Sequence, residues 1–195
     1  MNIGILALQG DISEHAEIMR RACEELEITP KIIPVKNKDH LQDIDRIILP
    51  GGESTTIGKL LVINKMFDEL KEKISEGLPV LATCAGLILL AKKGNGDMEK
   101  TKQPLMRLMN INVKRNAFGR QRESFEAEIE FLPKKTKITG VFIRAPVILE
   151  VGKGVEVVAK YEDLIVGARE KNMLAVAFHP ELTDDTTIHK YFLGM

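Results

Sequence analysis

The first half of the chain alternates short, unbroken apolar runs with stretches of helical periodicity, and few architectures accept that order. The runs are Ile3-Gly4-Ile5-Leu6-Ala7-Leu8, Lys31 to Val35, Arg46-Ile47-Ile48-Leu49 and Pro79-Val80-Leu81-Ala82-Thr83. A strand that is apolar on both faces must be covered on both faces, as in a parallel sheet sandwiched between helices. Pro30 and Pro34 remove ladder donors from the second run and place it at a sheet edge. Between the runs, Asp11 with Glu14 has the form of a capping box. Ala16, Met19, Cys23 and Leu26 then recur at helical spacing, as do Met66, Phe67, Leu70 and Ile74. Residues 86–91 read as an apolar helix.

After Lys92 the character changes. Residues 93–103 are polar and contain glycine, the composition of a loop. Phe125, Ala127, Ile129 and Phe131 alternate with three glutamates, which predicts a half-solvated strand. Further strands are expected over 138–143, 155–161, 164–168 and 173–178, and a short helix over 186–192. With no repeat or low-complexity linker, the 195 residues read as one domain spanning 1–195. A chain of this size buries roughly 70% of its unfolded surface. The expected fold is α/β, a mixed, mostly parallel sheet flanked by helices, with antiparallel additions behind.

Composition narrows the function. Lys plus Arg and Asp plus Glu both number 28, so the basic excess of a nucleic-acid binder is missing. The longest apolar stretch, 81–91, is interrupted by Thr83 and Gly86 and falls short of the ~20 residues of a membrane span. The N-terminus enters a strand pattern directly, without the basic region of a secretory signal. Two widely spaced cysteines make neither a zinc site nor a disulfide framework. These readings predict a cytoplasmic protein with no metal and no cofactor.

Gln9-Gly10, Gly51-Gly52, Cys84 and His179 each follow an apolar strand, and ligands of open α/β sheets bind outside the carboxyl ends of the strands. Cys84 stands between a strand and a helix among small residues, the form of a nucleophile elbow. A helix N-terminus there favours negative charge on sulfur. By itself the same cysteine reads more readily as core, and the turn and its candidate partners reverse that weighting. His179 supplies a base for a thiol, and Glu181, two residues on, points to the same side in an extended segment and can orient the imidazole. Gly51-Gly52 can bring N–H groups to a reacting carbonyl or form a plain turn. A phosphate loop is excluded, because Gly52 to Gly58 is one residue too long and Leu60 replaces the hydroxyl residue. His15, His40 and His189 lie in polar surroundings and read as solvated surface.

Several segments occur in a telling order: Leu8-Gln9-Gly10, residues 49–56 (Leu-Pro-Gly-Gly-Glu-Ser-Thr-Thr), Thr83-Cys84-Ala85-Gly86, Arg115-Asn116 with Phe118-Gly119-Arg120-Gln121, Ser124-Phe125-Glu126, Ile143-Arg144-Ala145-Pro146 and His179-Pro180-Glu181-Leu182. Together they resemble the glutaminase subunits of pyridoxal 5′-phosphate synthase, class I (triad) glutamine amidotransferases with a flavodoxin-like fold. One departure is Ala82, where that family usually has glycine before Thr-Cys.

The resemblance implies a Cys84-His179-Glu181 triad that hydrolyses L-glutamine to glutamate and ammonia through a γ-glutamyl thioester. It implies an oxyanion hole at Gly51, Gly52 and Ala85. A glutamine pocket of Gly52, Glu53, Ser54, Arg115, Ile143 and Arg144 follows, with Glu53 on the α-ammonium and the arginines on the α-carboxylate. It further implies a ring-forming synthase partner that uses the ammonia, in a hetero-oligomer built on a dodecameric ring. The basic stretch 92–122 suits an acidic docking surface. Another elbow-cysteine hydrolase of the protease/glyoxalase-like group would lack the Gly-Gly-Glu-Ser loop beside His-Pro-Glu. A noncatalytic regulatory module would have no need of all three triad residues.

Overall fold

The computed structural model describes residues 1–95, 103–118 and 124–195. Five parallel strands form one half of the sheet: β1 (Asn2–Leu6), β2 (Lys31–Val35), β3 (Arg46–Leu49), β4 (Val80–Thr83) and β12 (Met173–Val176), in the order β2-β1-β3-β4-β12. β2, with its two flanking prolines, is the edge. The four residues each of β3, β4 and β12 are all buried, as their uninterrupted apolar sequence requires.

The sheet continues antiparallel through β11 (Leu164–Glu170), β10 (Glu156–Tyr161), β7 (Ser124–Phe131) and β8 (Thr136–Ile143). Phe125 lies opposite Phe142 in the β7–β8 register, and their rings stack at 4.9 Å between centroids. Such cross-strand aromatic pairs stabilise a hairpin. An arm not anticipated from the sequence, β5 (Ala91–Gly94), β6 (Met109–Lys114) and β9 (Val147–Val151), branches from β11. Lys93 and Gly94 are therefore strand rather than loop, while residues 96–102 of the expected loop, and Gly119 to Gln121 of the Phe-Gly-Arg-Gln segment, lie outside the described residues. The basic stretch 92–122 is described only in part for the same reason.

The helices are α1 (Ile12–Glu25), α2 (Ser54–Ile63), α3 (Phe67–Ser75), α4 (Ala85–Leu90) and α5 (Thr187–Leu193). Asp11 is the N-cap of α1 but makes no side-chain capping bond, so the expected capping box is not formed. The buried stripe of α1 is His15, Ile18, Met19, Ala22 and Cys23; Met19 and Cys23 lie on it as expected, whereas Ala16 is only partly buried and Leu26 is exposed. His15 and His189 are fully buried, which corrects the surface reading: α1 packs against α5 and covers both rings. No helix among the described residues is long and apolar enough to cross a membrane.

Candidate active site

Four loops meet at the carboxyl ends of the parallel strands, following β1, β3, β4 and β12. Cys84 turns the chain from β4 into α4 at φ 45° and ψ −96°, a sparsely populated positive-φ conformation that costs a non-glycine residue about 1–3 kcal/mol. The turn is held on both sides. The Cys84 N–H donates to Val176 O at 2.8 Å, and its carbonyl accepts from Ile88 N–H at 3.3 Å. A Cβ on Gly86 would strike the Leu49 carbonyl oxygen, so glycine is what lets α4 sit against β3.

His179 follows β12. Its N–H donates to Val141 O at 2.8 Å, which fastens this loop to β8 and brings Ile143 and Arg144 to the same rim. The imidazole Nδ1 lies 2.7 Å from Glu181 Oε1, and the ring lines the same cavity as Cys84. Burial by itself disfavours the imidazolium, yet the interactions with Cys84 and Glu181 outweigh it and raise the His179 pKa to about 10. The ring is thus a proton donor at neutral pH. Gly51 packs against its face, and a Cβ there would collide with Cε1.

A cavity of about 240 Å³ opens beside the sulfur, lined by residues that include Gly52, Glu53, Ser54, Cys84, Arg115, Ile143, Arg144 and His179. It is below the roughly 300–1,000 Å³ of pockets for drug-sized ligands, a size suited to a single amino acid. Gly51, Ala85 and Glu181 are not among its lining. Gly51 sits against the imidazole, Ala85 is the buried first residue of α4, and Glu181 stands behind His179. Gly52 has φ 135°, open to glycine alone.

Glu53 and Arg115, expected at opposite ends of a substrate, are paired with each other at 3.0 Å. Glu53 also caps α2, accepting from Thr55 N–H at 3.2 Å and Thr56 N–H at 2.7 Å. Burial works against its charge, but these donors and Arg115 hold its carboxyl below the usual range. Arg144 forms no ion pair among the described residues and is exposed at the rim. Asp11, read from the sequence only as a helix start, lines the cavity with a carboxylate oxygen 3.4 Å from His179 Nδ1. Its place directly after Gln9-Gly10 was the available signal. Asn116 and Ile88 complete the wall. Cys84, Asn116 and Arg144 all have positive φ, a concentration of backbone strain around one cavity of the kind found at functional sites.

The SNO glutamine amidotransferase family matches residues 5–195 of the chain. The pyridoxal 5′-phosphate synthase subunit PdxT of Methanosarcina acetivorans is 50% identical over 194 residues, covering 100% of this chain and 98% of that protein. The PdxT subunit of Archaeoglobus fulgidus is 50% identical over 195 residues, again covering 100% and 98%. A solved glutamine amidotransferase structure superposes with a TM-score of 0.86 at 47% identity, covering 98% of this chain and 97% of the other. PurLQS from Thermotoga maritima, at 17% identity with a TM-score of 0.62 over 99% of this chain and 95% of the other, shares the fold.

Proposed function

The chain belongs to the SNO glutamine amidotransferase family, and from that premise we propose that Cys84, His179 and Glu181 are the triad with which it hydrolyses glutamine. It is a glutamine-hydrolysing enzyme, and the ammonia it releases serves pyridoxal 5′-phosphate (vitamin B6) synthesis. The observation that carries the triad is that Cys84 and His179 line one cavity with Arg144 and Asp11, while Glu181 bonds the ring from behind at 2.7 Å.

The steps follow from the geometry. Cys84 Sγ attacks the side-chain amide carbon of glutamine, with negative charge on sulfur favoured by the α4 N-terminus and the imidazolium. The amide oxygen becomes an oxyanion that accepts hydrogen bonds donated by the N–H groups of Gly52 and Ala85, with Gly51 leaving room for the imidazole. His179 gives its proton to the departing ammonia, and a γ-glutamyl thioester remains. His179, now neutral, takes a proton from water as it attacks the thioester, releasing glutamate and the thiol. Glu181 holds the ring and balances its charge. Residues 1–195 act as one glutaminase domain, and a thiol nucleophile suits the reducing cytoplasm.

In the pocket, Arg144 meets the α-carboxylate and Arg115 supports it, while Glu53 and Asp11 supply negative charge for the α-ammonium. Arg144→Ala and Arg115→Ala are each expected to raise KM about tenfold or more, because an unpaired charge in a closed pocket costs about 1–3 kcal/mol. Glutamine titration of ammonia release reads this, and ordinary saturation in both variants would refute the assignment.

The acceptor of the ammonia is a ring-forming synthase subunit, to which this chain docks in a hetero-oligomer on a dodecameric ring. Waste of glutamine is avoided if the oxyanion hole is completed only on docking, by a peptide flip that glycines 51 and 52 allow at low cost. Ammonia release by the chain alone is therefore expected to be weak and to rise strongly with saturating synthase. Equal specific activity in both conditions would remove the gating and leave the hydrolase intact.

A further inference from the structure

Behind the triad lies a polar cluster that none of this chemistry uses. His15 of α1 is 0% exposed. Its Nε2 lies 3.2 Å from Thr83 Oγ1 and 3.4 Å from Glu181 Oε1. Thr83 immediately precedes the nucleophile, and Glu181 Oε1 is the same oxygen that meets His179 Nδ1. One ring nitrogen therefore touches both sides of the catalytic pair. We propose that His15 is a positioning residue which, as a neutral imidazole protonated on Nε2, holds the Glu181 carboxylate and the Cys84 elbow in register. This rests on the triad assigned above.

The surroundings select that tautomer. A bare Nε2 would set its lone pair against the carboxylate oxygen. An Nε2–H donates to Thr83 Oγ1 and turns the positive end of its dipole toward Glu181. The lone pair then falls on Nδ1, which has no partner among the described residues, and buried acceptors without partners are better tolerated than orphaned N–H groups.

The charge state is set from every side. Burial, then His189, then His179 hold His15 well below its ordinary pKa. His189 faces it from α5 at 6.0 Å between centroids, and burial lowers its own pKa to about 3. His179 and Glu181 face it from the loop after β12, and Thr83 from the end of β4. A charged His15 would compete with His179 for Glu181, whereas a neutral one lends an N–H without drawing the proton.

Glu181 needs that help. Burial pushes its carboxyl up against the pull of His179, and its Oε2 has no partner among the described residues. Without the His15 N–H the carboxylate is less stable and supports the His179 imidazolium less well. The basic limb of kcat/KM, where His179 loses its proton, must then move to lower pH.

The test compares the parent chain with His15→Phe and His15→Gln, each with saturating synthase, by ammonia release from about pH 7 to about pH 11. His15→Phe is expected to lower kcat about tenfold, the scale of losing one buried hydrogen bond together with the dipole it turns on the carboxylate. KM stays within about twofold, and the basic limb shifts down by about 0.5–1 unit. His15→Gln, whose amide N–H has matching reach, restores the limb and most of kcat. An unchanged kcat in His15→Phe, a fall in kcat with the limb in place, or no rescue by a folded His15→Gln would each overturn the proposal.

Nitrogen NMR of the histidine-labelled parent, with His15 assigned by difference from the Gln variant, decides the matter if His15→Phe does not fold. A neutral Nε2–H ring near neutral pH supports the proposal, and an Nδ1–H or charged ring overturns it. A parent chain inactive on glutamine even with synthase would sink the glutaminase reading instead, and the NMR result does not depend on turnover.

Discussion

Cys84→Ala is expected to reduce ammonia release from glutamine by at least ~10⁴-fold, the scale of losing a triad nucleophile, while the fold survives. Without sulfur there is no atom to form the thioester. The fold should tolerate the change because Cys84 and alanine share the same backbone requirement. The φ of 45° is already strained for any residue with a Cβ, and alanine adds nothing to that strain. The side chain stands outside the hydrophobic core cluster, and its sulfur makes a long, 4.0 Å contact with Ile143 O. Ammonia release and circular dichroism, measured on one preparation, read both halves. Appreciable turnover by the folded variant would remove Cys84 from its role.

His179→Asn should cost nearly as much, about 10⁴-fold, and more than Glu181→Gln at roughly 10²–10⁴-fold. In the proposed mechanism the imidazole moves protons in both half-reactions, whereas the carboxylate only holds it. The pH dependence separates them further. With a pKa near 10, His179 stays charged through neutral pH, so the parent should keep its activity until the basic limb is reached. The same shift adds to folding stability. A histidine with a raised folded pKa stabilises fully below its unfolded value of about 6.5, and the contribution fades as pH climbs toward the folded value. His179→Asn should therefore lose the decline in stability over that window. A Glu181→Gln variant with normal kcat would reduce the triad to a dyad.

The parallel half of the sheet was legible because each strand is an unbroken apolar run ending in glycine, proline or a polar residue. The arm was not. β5 continues from the apolar helix α4 with no breaker between Leu90 and Ala91, and β9 leaves Leu149 exposed. β6 is the exception: Met109, Ile111 and Val113 alternate cleanly with polar residues, and its signal was there to be read. His15 shows the limit of hydrophobic patterning. Residues 15, 18, 19, 22 and 23 form a regular helical stripe, but its first member is polar, and a reading that admits only apolar residues slides the stripe to Ala16 and Leu26. What buries the ring is a partner some seventy positions away, Thr83, and no local pattern carries that. The pairing of Glu53 with Arg115, 62 residues apart, escapes for the same reason.

The placement of β12 has a consequence for how the molecule is born. This strand occupies the middle of the sheet, between β4 and β11, yet it comes near the end of the chain. Synthesis runs from the N-terminus at about 5–20 residues per second, so Cys84 and the glycine loop leave the ribosome well before His179. Until the last segment arrives, the slot between β4 and β11 stays empty and the nucleophile has no base. With the proposed triad, a nascent or prematurely terminated product is expected to be unable to consume glutamine. It also carries two unpaired apolar strand edges, the kind of surface that pairs with other chains, so quality control would meet it as an aggregating fragment and never as an unregulated hydrolase.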